Sequence, residues 1–428
     1  MPLDAEIWSS SHAIFRERER DMAEIADTAG IRRASIDDAA LKSARPTAAS
    51  AHHSGIQPLT AIPTEAWRAL AERAIEPNGY YLPAWELAVN DSARGLTGVD
   101  ALSAWSGTSG APNEPARLIG LLPIVSLWRA FKIPLPALVS ASPYGTLCTP
   151  LIARDLAPEA AARLMEEARA AGAHALILRD VPINGAAMKS LAQALRQMDL
   201  RPLVLQSHVR ACLDARRAAD DLLQEALGGK KLKELRRQRN RIAEHGEVRF
   251  EVARTREAVD RATEVFLDIE ASGWKARRGT ALQQDDGDAA FIRRATRGLA
   301  ETGQCEIVTL FAGDTPVAAA VVLRHLDRAF YFKLGIDERF AKFSPGVQLT
   351  LELTRHLCAD AVLATADSTA SPHHPMINPI WRGRLRIGDV IIPLRRNDLV
   401  VPLIHAAMKM RQRAREAARR AVHLVRGR

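Results

Sequence analysis

One stretch constrains the fold more than any other. From Cys305 to Ile336 the chain reads CEIVTLFAGDTPVAAAVVLRHLDRAFYFKLGI. Three runs of β-branched, aromatic and small apolar residues are separated by Gly313-Asp314 and Asp327-Arg328, and turn residues so placed join neighbouring antiparallel strands. The stretch is therefore a three-strand meander. Two amphipathic helices precede it. In REAVDRATEVFLDIE, Ala258, Val259, Ala262, Val265, Phe266 and Ile269 fall on one helical face, and in AAFIRRATRGLA the same spacing recurs at Phe291, Ile292, Ala295 and Leu299. A helix opens at Pro345 after the meander, AVLATAD reads as a further strand, and RLRIGDVIIPL reads as a last hairpin. Helix, helix, meander, helix, strand makes an α/β unit with a mixed sheet.

The chain has 428 residues, too many for one ordinary core. The earlier half supplies a looser version of the same plan. Helices are expected at Thr64–Ala74, Ala157–Gly172 and Ala186–Met198, with strands at Arg117–Trp128 and Ala175–Asp180. LVLQSHVRACLD, Leu203 to Asp214, is a strand pair or one long strand. The reading is two α/β units in tandem, at 57–215 and 216–395, between a flexible tail at 1–56 and a basic helical tail at 396–428. A short helix is expected at Ile14–Ile25, and Ala44–Gly55 reads as linker.

Charge narrows the function classes. The formal net charge is +9, but Leu403 to Arg428 holds eight Lys and Arg against the single acid Glu416. The rest of the chain is near neutral, which excludes a uniformly basic nucleic-acid binder. The tail is suited to an anionic membrane surface or an acidic partner. Cys148, Cys212, Cys305 and Cys358 are far apart and form no CxxC pair, which suits a reducing compartment and no zinc site; Cys148 reads as a buried thiol. The N-terminal residues include acids and no apolar core segment, unlike a secretory signal. Pro123, Arg129, Lys132, Pro134 and Pro136 interrupt the most apolar region, so it cannot cross a bilayer as one helix. The expected location is cytoplasmic, with peripheral attachment at the inner face of the membrane through the tail. His373-His374 are adjacent and offer no metal-binding face, GGKK at Gly228 is not a phosphate loop, and GxSxG is absent.

The junction after the meander carries the chemistry. Simple alternation puts Phe330, Phe332, Leu334 and Ile336 on one strand face and Tyr331, Lys333 and Gly335 on the other. A phenol, an ammonium and a glycine are unusual for a central strand. The helix beyond it begins Ser344-Pro345-Gly346. Serine suits the N-cap, with its hydroxyl accepting from a first-turn N–H, and proline suits the first helical position. Glycine leaves the helix end open to an anion, which free N–H groups and the helix dipole favour.

In this order of elements the chain resembles the Gcn5-related N-acetyltransferase (GNAT) fold. The second half is similar to the acetyltransferase domain of CelD-type, cellulose-biosynthesis-associated proteins, relatives of the tandem-GNAT Fem peptidyltransferases. The resemblance rests on KKLKELRRQRNRI, EASGWKARRGTAL, YFKLGIDERFAKFSPGVQL and DSTASPHHPMINPIWRG, and covers about 216–395 well and 57–215 more loosely. It implies two tandem GNAT-like domains, the first on the acceptor side and degenerate. It also implies acetyl-CoA or another acyl-CoA as co-substrate, no metal, and transfer to an amine or hydroxyl of a small molecule or polysaccharide precursor. In that frame Ser344, Pro345, Gly346, Val347 and Gly335 hold the donor. Trp274, Lys275, Arg236 and Arg237 meet the acceptor. Asp367, Lys333 and Tyr331 are the catalytic candidates, with Glu270 and Asp337 as further bases. The usual (Q/R)xxGxG/A phosphate loop is missing, and Phe343-Ser344-Pro345-Gly346 stands in its place. Two other readings stay open. One is a Fem-like aminoacyl-tRNA-dependent transferase, with the basic helix Lys230–Arg241 on the tRNA phosphates. The other is a non-catalytic scaffold of a polysaccharide-synthesis complex.

Overall fold

A computed structural model describes residues 54–107, 116–272 and 281–426. The expected helix at 14–25 and the SGWK loop, with Trp274, Lys275, Arg277 and Arg278, lie outside the described residues.

The first unit runs β1 (Gly55–Pro58), α1 (Thr64–Glu72), α2 (Pro83–Ser92), β2 (Asp100–Trp105), β3 (Leu118–Ser126), α3 (Leu127–Phe131), β4 (Ala137–Ser140), β5 (Leu151–Ile152), α4 (Ala157–Ala170), β6 (Ala175–Pro182), α5 (Ala186–Gln197) and β7 (Leu203–Asp214). The second runs α6 (Ala219–Ala243), β8 (Val248–Ala253), α7 (Arg256–Ser272), α8 (Asp286–Ala300), β9 (Cys305–Ala312), β10 (Thr315–His325), β11 (Arg328–Ile336), α9 (Pro345–Cys358), β12 (Thr365–Asp367), α10 (Ile377–Ile380), β13 (Gly383–Pro393) and α11 (Val400–Arg426). The meander is present as β9, β10 and β11. Residues 203–214 form one long strand. The stretch read as a last hairpin is instead the single strand β13, because Gly388-Asp389 sits at an irregularity of its pairing with β6 and β7 and not at a turn. Gly228 (φ 70°) breaks α6 into two segments, a conformation that glycine alone takes without strain.

The strands form one mixed sheet in the order β1-β2-β3-β4-β6-β13-β7-β12-β11-β10-β9-β8. The same plan appears twice. β1 to β4 are antiparallel neighbours and β4 runs parallel to β6; β8 to β11 are antiparallel neighbours and β11 runs parallel to β12. The units then exchange strands. β7, from the first, pairs with β12 of the second; β13, from the second, pairs with β6 of the first; and β7 and β13 pair with each other. A boundary near residue 215 therefore separates the units in sequence but not in the sheet.

The units also share a core. The Trp85 ring on α2 lies edge-on to Phe291 of α8 at 5.0 Å and to Phe332 of β11 at 4.9 Å. Gly298 of α8 lets that helix approach α2, since a Cβ there would lie 3.0 Å from Ala84 Cβ. His325, at the end of β10, is buried against the first unit. Its Nδ1 accepts from the Asn78 N–H at 2.8 Å, so its Nε2–H donates to the Ala71 carbonyl at 2.9 Å. Both partners suit the neutral ring, and burial pushes its pKa down to about 4.

That depression has a definite sign. The unfolded ring binds a proton near pH 6.5 and the folded one only near 4. The contribution is complete above pH 6.5 and is lost as the pH falls towards 4, by an amount on the order of 3 kcal/mol. His325→Gln, which cannot titrate, should flatten the fall in urea-unfolding free energy between pH 6.5 and 4. The remaining slope includes His374, which burial also lowers to about 4.

Candidate functional site

The third meander strand does not alternate as simple pleating dictates. The β10–β11 register slips between Val321 and Val322: Val321 faces Lys333, Val322 faces Tyr331, and Phe332 is the extra residue of a β-bulge. The bulge re-aims the rest of the strand. Tyr331 points towards α9, where its hydroxyl lies 3.2 Å from Thr350 Oγ1 and its ring 5.9 Å from Trp381. Leu334 and Ile336 point the same way. Lys333 and Gly335 face α7, and a Cβ on Gly335 would lie 3.2 Å from the Glu270 nitrogen. Tyr331 and Lys333 are thus on opposite faces. The phenol is buried, its pKa pushed up by burial, and it does not join the ammonium at a common site.

Past the bulge β11 also leaves β12. Their parallel pairing covers only Arg328↔Thr365, Ala329↔Ala366 and Phe330↔Asp367. Thr369 closes the ladder, with its hydroxyl donating to the Tyr331 carbonyl at 2.6 Å and its N–H to Asp367 Oδ1 at 2.9 Å. Beyond it, residues 332–336 have no ladder partner on the β12 side among the described residues. The parallel ladder between the two strands ends there, and the junction beyond it is the candidate cleft.

Charged groups of the second unit meet polar groups of the first beside this junction. Lys333 Nζ lies 3.2 Å from Glu270 Oε1, and both side chains are buried. Glu270 Oε2 accepts from the Leu282 N–H at 3.1 Å. Lys333 Nζ is also 5.8 Å from the centre of the Tyr144 ring. The Tyr144 hydroxyl donates to Asp288 Oδ2 at 2.7 Å, and Asp288 Oδ1 accepts from the Arg94 N–H at 2.9 Å. Burial raises the Asp288 pKa against these hydrogen bonds. The cluster offers a carboxylate to take a proton, an ammonium and a phenol to donate one, and a wall of aromatic rings.

The other sequence candidates take different places. Asp367 is fully buried, with Oδ2 2.5 Å from Arg210 Nη2. Its oxygens are occupied by Arg210 and the Thr369 N–H, which makes it a structural anchor below the cleft. Ser344 precedes α9 but adopts a left-handed conformation (φ 54°) and makes no side-chain cap, contrary to the expected N-cap hydrogen bond. A left-handed residue aims its hydroxyl away from the first-turn N–H groups. Pro345 is the first residue of α9, as expected, and the N–H groups of Gly346 and Val347 lie in its first turn. Gly346 is closely packed: a Cβ would lie 2.9 Å from Leu334 Cδ2 and 3.2 Å from Ile336 Cγ2, so the end of the Leu334 side chain would have to shift. Asp337 accepts from both the backbone and the guanidinium of Arg339. Arg236 and Arg237 are exposed on α6, away from the Lys333 cluster, with no ion pair among the described residues. Cys148 is buried, and burial pushes its thiol up to about 12. Among the described residues, no group of three or more His, Cys, Asp or Glu is placed to hold a metal ion.

Sequence reasoning missed Tyr144 and Asp288. SPYG reads as a turn and DDGDAA as a helix start, and Tyr144 and Asp288 are 144 positions apart. Tyr144 does carry one local mark, a left-handed backbone (φ 58°).

Comparison with known proteins fits this geometry. Residues 229–371 match the family model of the acetyltransferase (GNAT) domain. No curated protein sequence matches the chain. Among solved structures, the chain is similar to FemX at 13% identity with a TM-score of 0.54, covering 81% of this chain and 98% of that one. L-PGS from Bacillus licheniformis is 12% identical with a TM-score of 0.48, over 81% and 96% of the two chains. A tandem GNAT protein from the clavulanic acid biosynthesis pathway is 14% identical with a TM-score of 0.39, over 80% and 99%. Residues 229–371 are thus similar to a GNAT acetyltransferase domain, within a mixed α/β fold of two GNAT-like units.

The two aspartates near the cleft separate by experiment. Asp367→Asn leaves Arg210 buried beside a neutral group and should destabilise the fold by about 3–5 kcal/mol in urea titration. Asp337→Asn disrupts a pair whose arginine is largely exposed and should cost about 1 kcal/mol or less.

Proposed function

We propose that the protein is an acyltransferase that moves an acetyl or similar acyl group from acyl-CoA to an amine or hydroxyl of a small molecule or polysaccharide precursor. The observation that carries this reading is the bulge at Phe332, where β11 leaves β12 directly beside the buried Lys333–Glu270 pair. A diverging strand pair gives an extended thioester arm a slot lined by backbone donors and acceptors, and the bulge sets a cation at the point where the acyl carbon would lie.

The donor's phosphates fit the start of α9. Gly346 and Val347 present first-turn N–H groups, and the helix dipole favours an anion there. Proline sacrifices no hydrogen bond at the first position. In this reading the nucleophile attacks the thioester carbon directly, with no covalent enzyme intermediate. Glu270 takes the proton from the attacking amine or hydroxyl as the C–N or C–O bond forms. Lys333 stabilises the oxyanion and, as the C–S bond breaks, gives a proton to the departing thiolate; the proton held by Glu270 then passes to Lys333 across their contact. Tyr144 and Arg94, both from the first unit, place the acceptor on that unit's side of the cleft.

Two measurements test this. Calorimetric titration of the full chain with acetyl-CoA should give saturable binding, which Val347→Asp weakens at least tenfold. Aspartate in the first turn favours the helix itself while repelling phosphate, so lost binding with an unchanged melting temperature localises the donor. Lys333→Met should lower kcat by about a hundredfold with little change in the donor KM. An intact chain that binds no acetyl-CoA overturns the reading.

A further inference from the structure

The last helix has two apolar faces, and the fold buries one of them. Val401, Ile404 and Met408 of α11 share a core with Leu127 of α3, Ile177 of β6, Leu205 of β7 and Ile391 of β13. A second stripe points to solvent. Leu403 is 58% exposed and Met410 72%, and Leu399, one turn before Leu403, is 83% exposed. Helical spacing puts Leu403 and Met410 on one side of α11. The exposed Ala406, Ala414 and Ala417 fall on that side too. A helix with one apolar face is satisfied by one partner, and this helix has a further face to cover. Single exposed apolar side chains are ordinary, but a line of them over about four turns marks an interaction surface.

The stripe is set in positive charge. From Leu403 to Arg428 the sequence holds eight Lys and Arg against the single acid Glu416. Arg413 and Arg420 are exposed, and helical spacing places them along the border of the stripe. A second copy of the chain would bring like charge against like on this face. An anionic bilayer matches both features at once, since its head groups meet the arginines while its acyl boundary takes Leu403 and Met410. Such a helix lies along the interface; among the described residues no helix is long and apolar enough to cross a membrane. Trp128 of α3 adds to the match. It is exposed, Lys132 Nζ lies 5.7 Å from the centre of its ring, and its neighbour Leu127 packs against the inner face of α11. An aromatic ring beside an ammonium suits the head-group region.

We propose that the outward face of α11, centred on Leu403 and Met410, docks the protein on an anionic lipid bilayer. The inference rests on this face and not on the reading of the Lys333 site.

Sedimentation of the full chain with lipid vesicles tests it. The wild type should sediment with vesicles of phosphatidylglycerol and phosphatidylcholine, and remain in solution with phosphatidylcholine alone. The double variant Leu403→Gln, Met410→Gln should bind at least tenfold more weakly. The double variant Arg413→Gln, Arg420→Gln should lose about fivefold or more, with the loss shrinking as salt is raised. All four residues are exposed, so unchanged melting temperatures show that the fold is kept. Three results overturn the proposal: no sedimentation with either vesicle, equal sedimentation with both, or attachment that the apolar double variant leaves unchanged. Self-association without vesicle attachment, abolished in the apolar double variant, assigns the face to a second copy and also overturns it. Binding to poly-glutamate without vesicle attachment assigns the face to an acidic protein, with the same consequence.

Discussion

The Arg210–Asp367 pair is the joint on which the two-unit architecture turns. Arg210 lies on β7, the strand the first unit lends to the second, and Asp367 ends β12, its neighbour there. Taking both charges out of water is expensive, and other hydrogen bonds offset part of that cost, though Arg210 Nε has no partner among the described residues. Arg210 Nη1 donates to the Thr146 carbonyl at 2.6 Å and to its hydroxyl at 3.0 Å; Asp367 Oδ1 accepts from the Thr369 N–H. The Thr146 hydroxyl in turn donates to the Thr369 carbonyl. One buried network therefore connects the loop after β4, the exchanged strand β7, the end of β12 and, through Thr369, the carbonyl of Tyr331. Such a pair contributes less net stability than position. A slip of β12 by one residue would put the carboxylate on the opposite sheet face and leave the guanidinium alone.

Three residues around the candidate site have unfavourable backbone, one of them in this network. Tyr144, Ser344 and Thr369 are non-glycine residues in the left-handed region, and Thr369 is β-branched, where that conformation is rarest. Each costs about 1–2 kcal/mol. Contacts offset that cost: Thr369 makes long-range hydrogen bonds with Thr146 and Tyr331 and a local one with Asp367, and Tyr144 is held by Asp288 and packed on Phe291 at 4.9 Å.

What was legible in the sequence was what local periodicity controls. The meander, the apolar faces around Phe266 and Phe291, and a helix beginning at Pro345 depend on residues within one turn or one hairpin. The bulge at Phe332 depends on register with β10, and no residue in FYFKLG announces it; simple alternation therefore put Leu334 and Ile336 on the face opposite Tyr331, and Tyr331 on the face of Lys333. The exchange of β7 and β13 is similarly silent, since LVLQSHVRACLD has the same pattern whichever unit it joins. Ser344-Pro345-Gly346 looked like a cap with an open helix end. In the fold Ser344 is left-handed and makes no cap, and Leu334 and Ile336, re-aimed by the bulge, pack closely against Gly346. Lys333 and Glu270 were both singled out in the sequence, but their pairing, and their meeting with Tyr144 and Asp288, needed the tertiary fold.

The repeated plan makes the difference between its copies informative. In both units a parallel pair ends early, a hydroxyl closes the gap, and the strands part. In the second unit the opening holds a cation neutralised by a buried carboxylate, an arrangement that can move a proton without bringing in net charge. In the first unit the corresponding opening is lined, among the described residues, by Arg129, Lys132, Arg179 and Arg411 and by no carboxylate. The two openings thus differ in the side chains around them. The division lies in which side chains the parted strands and their covering helices present, since the backbone plan is common to both.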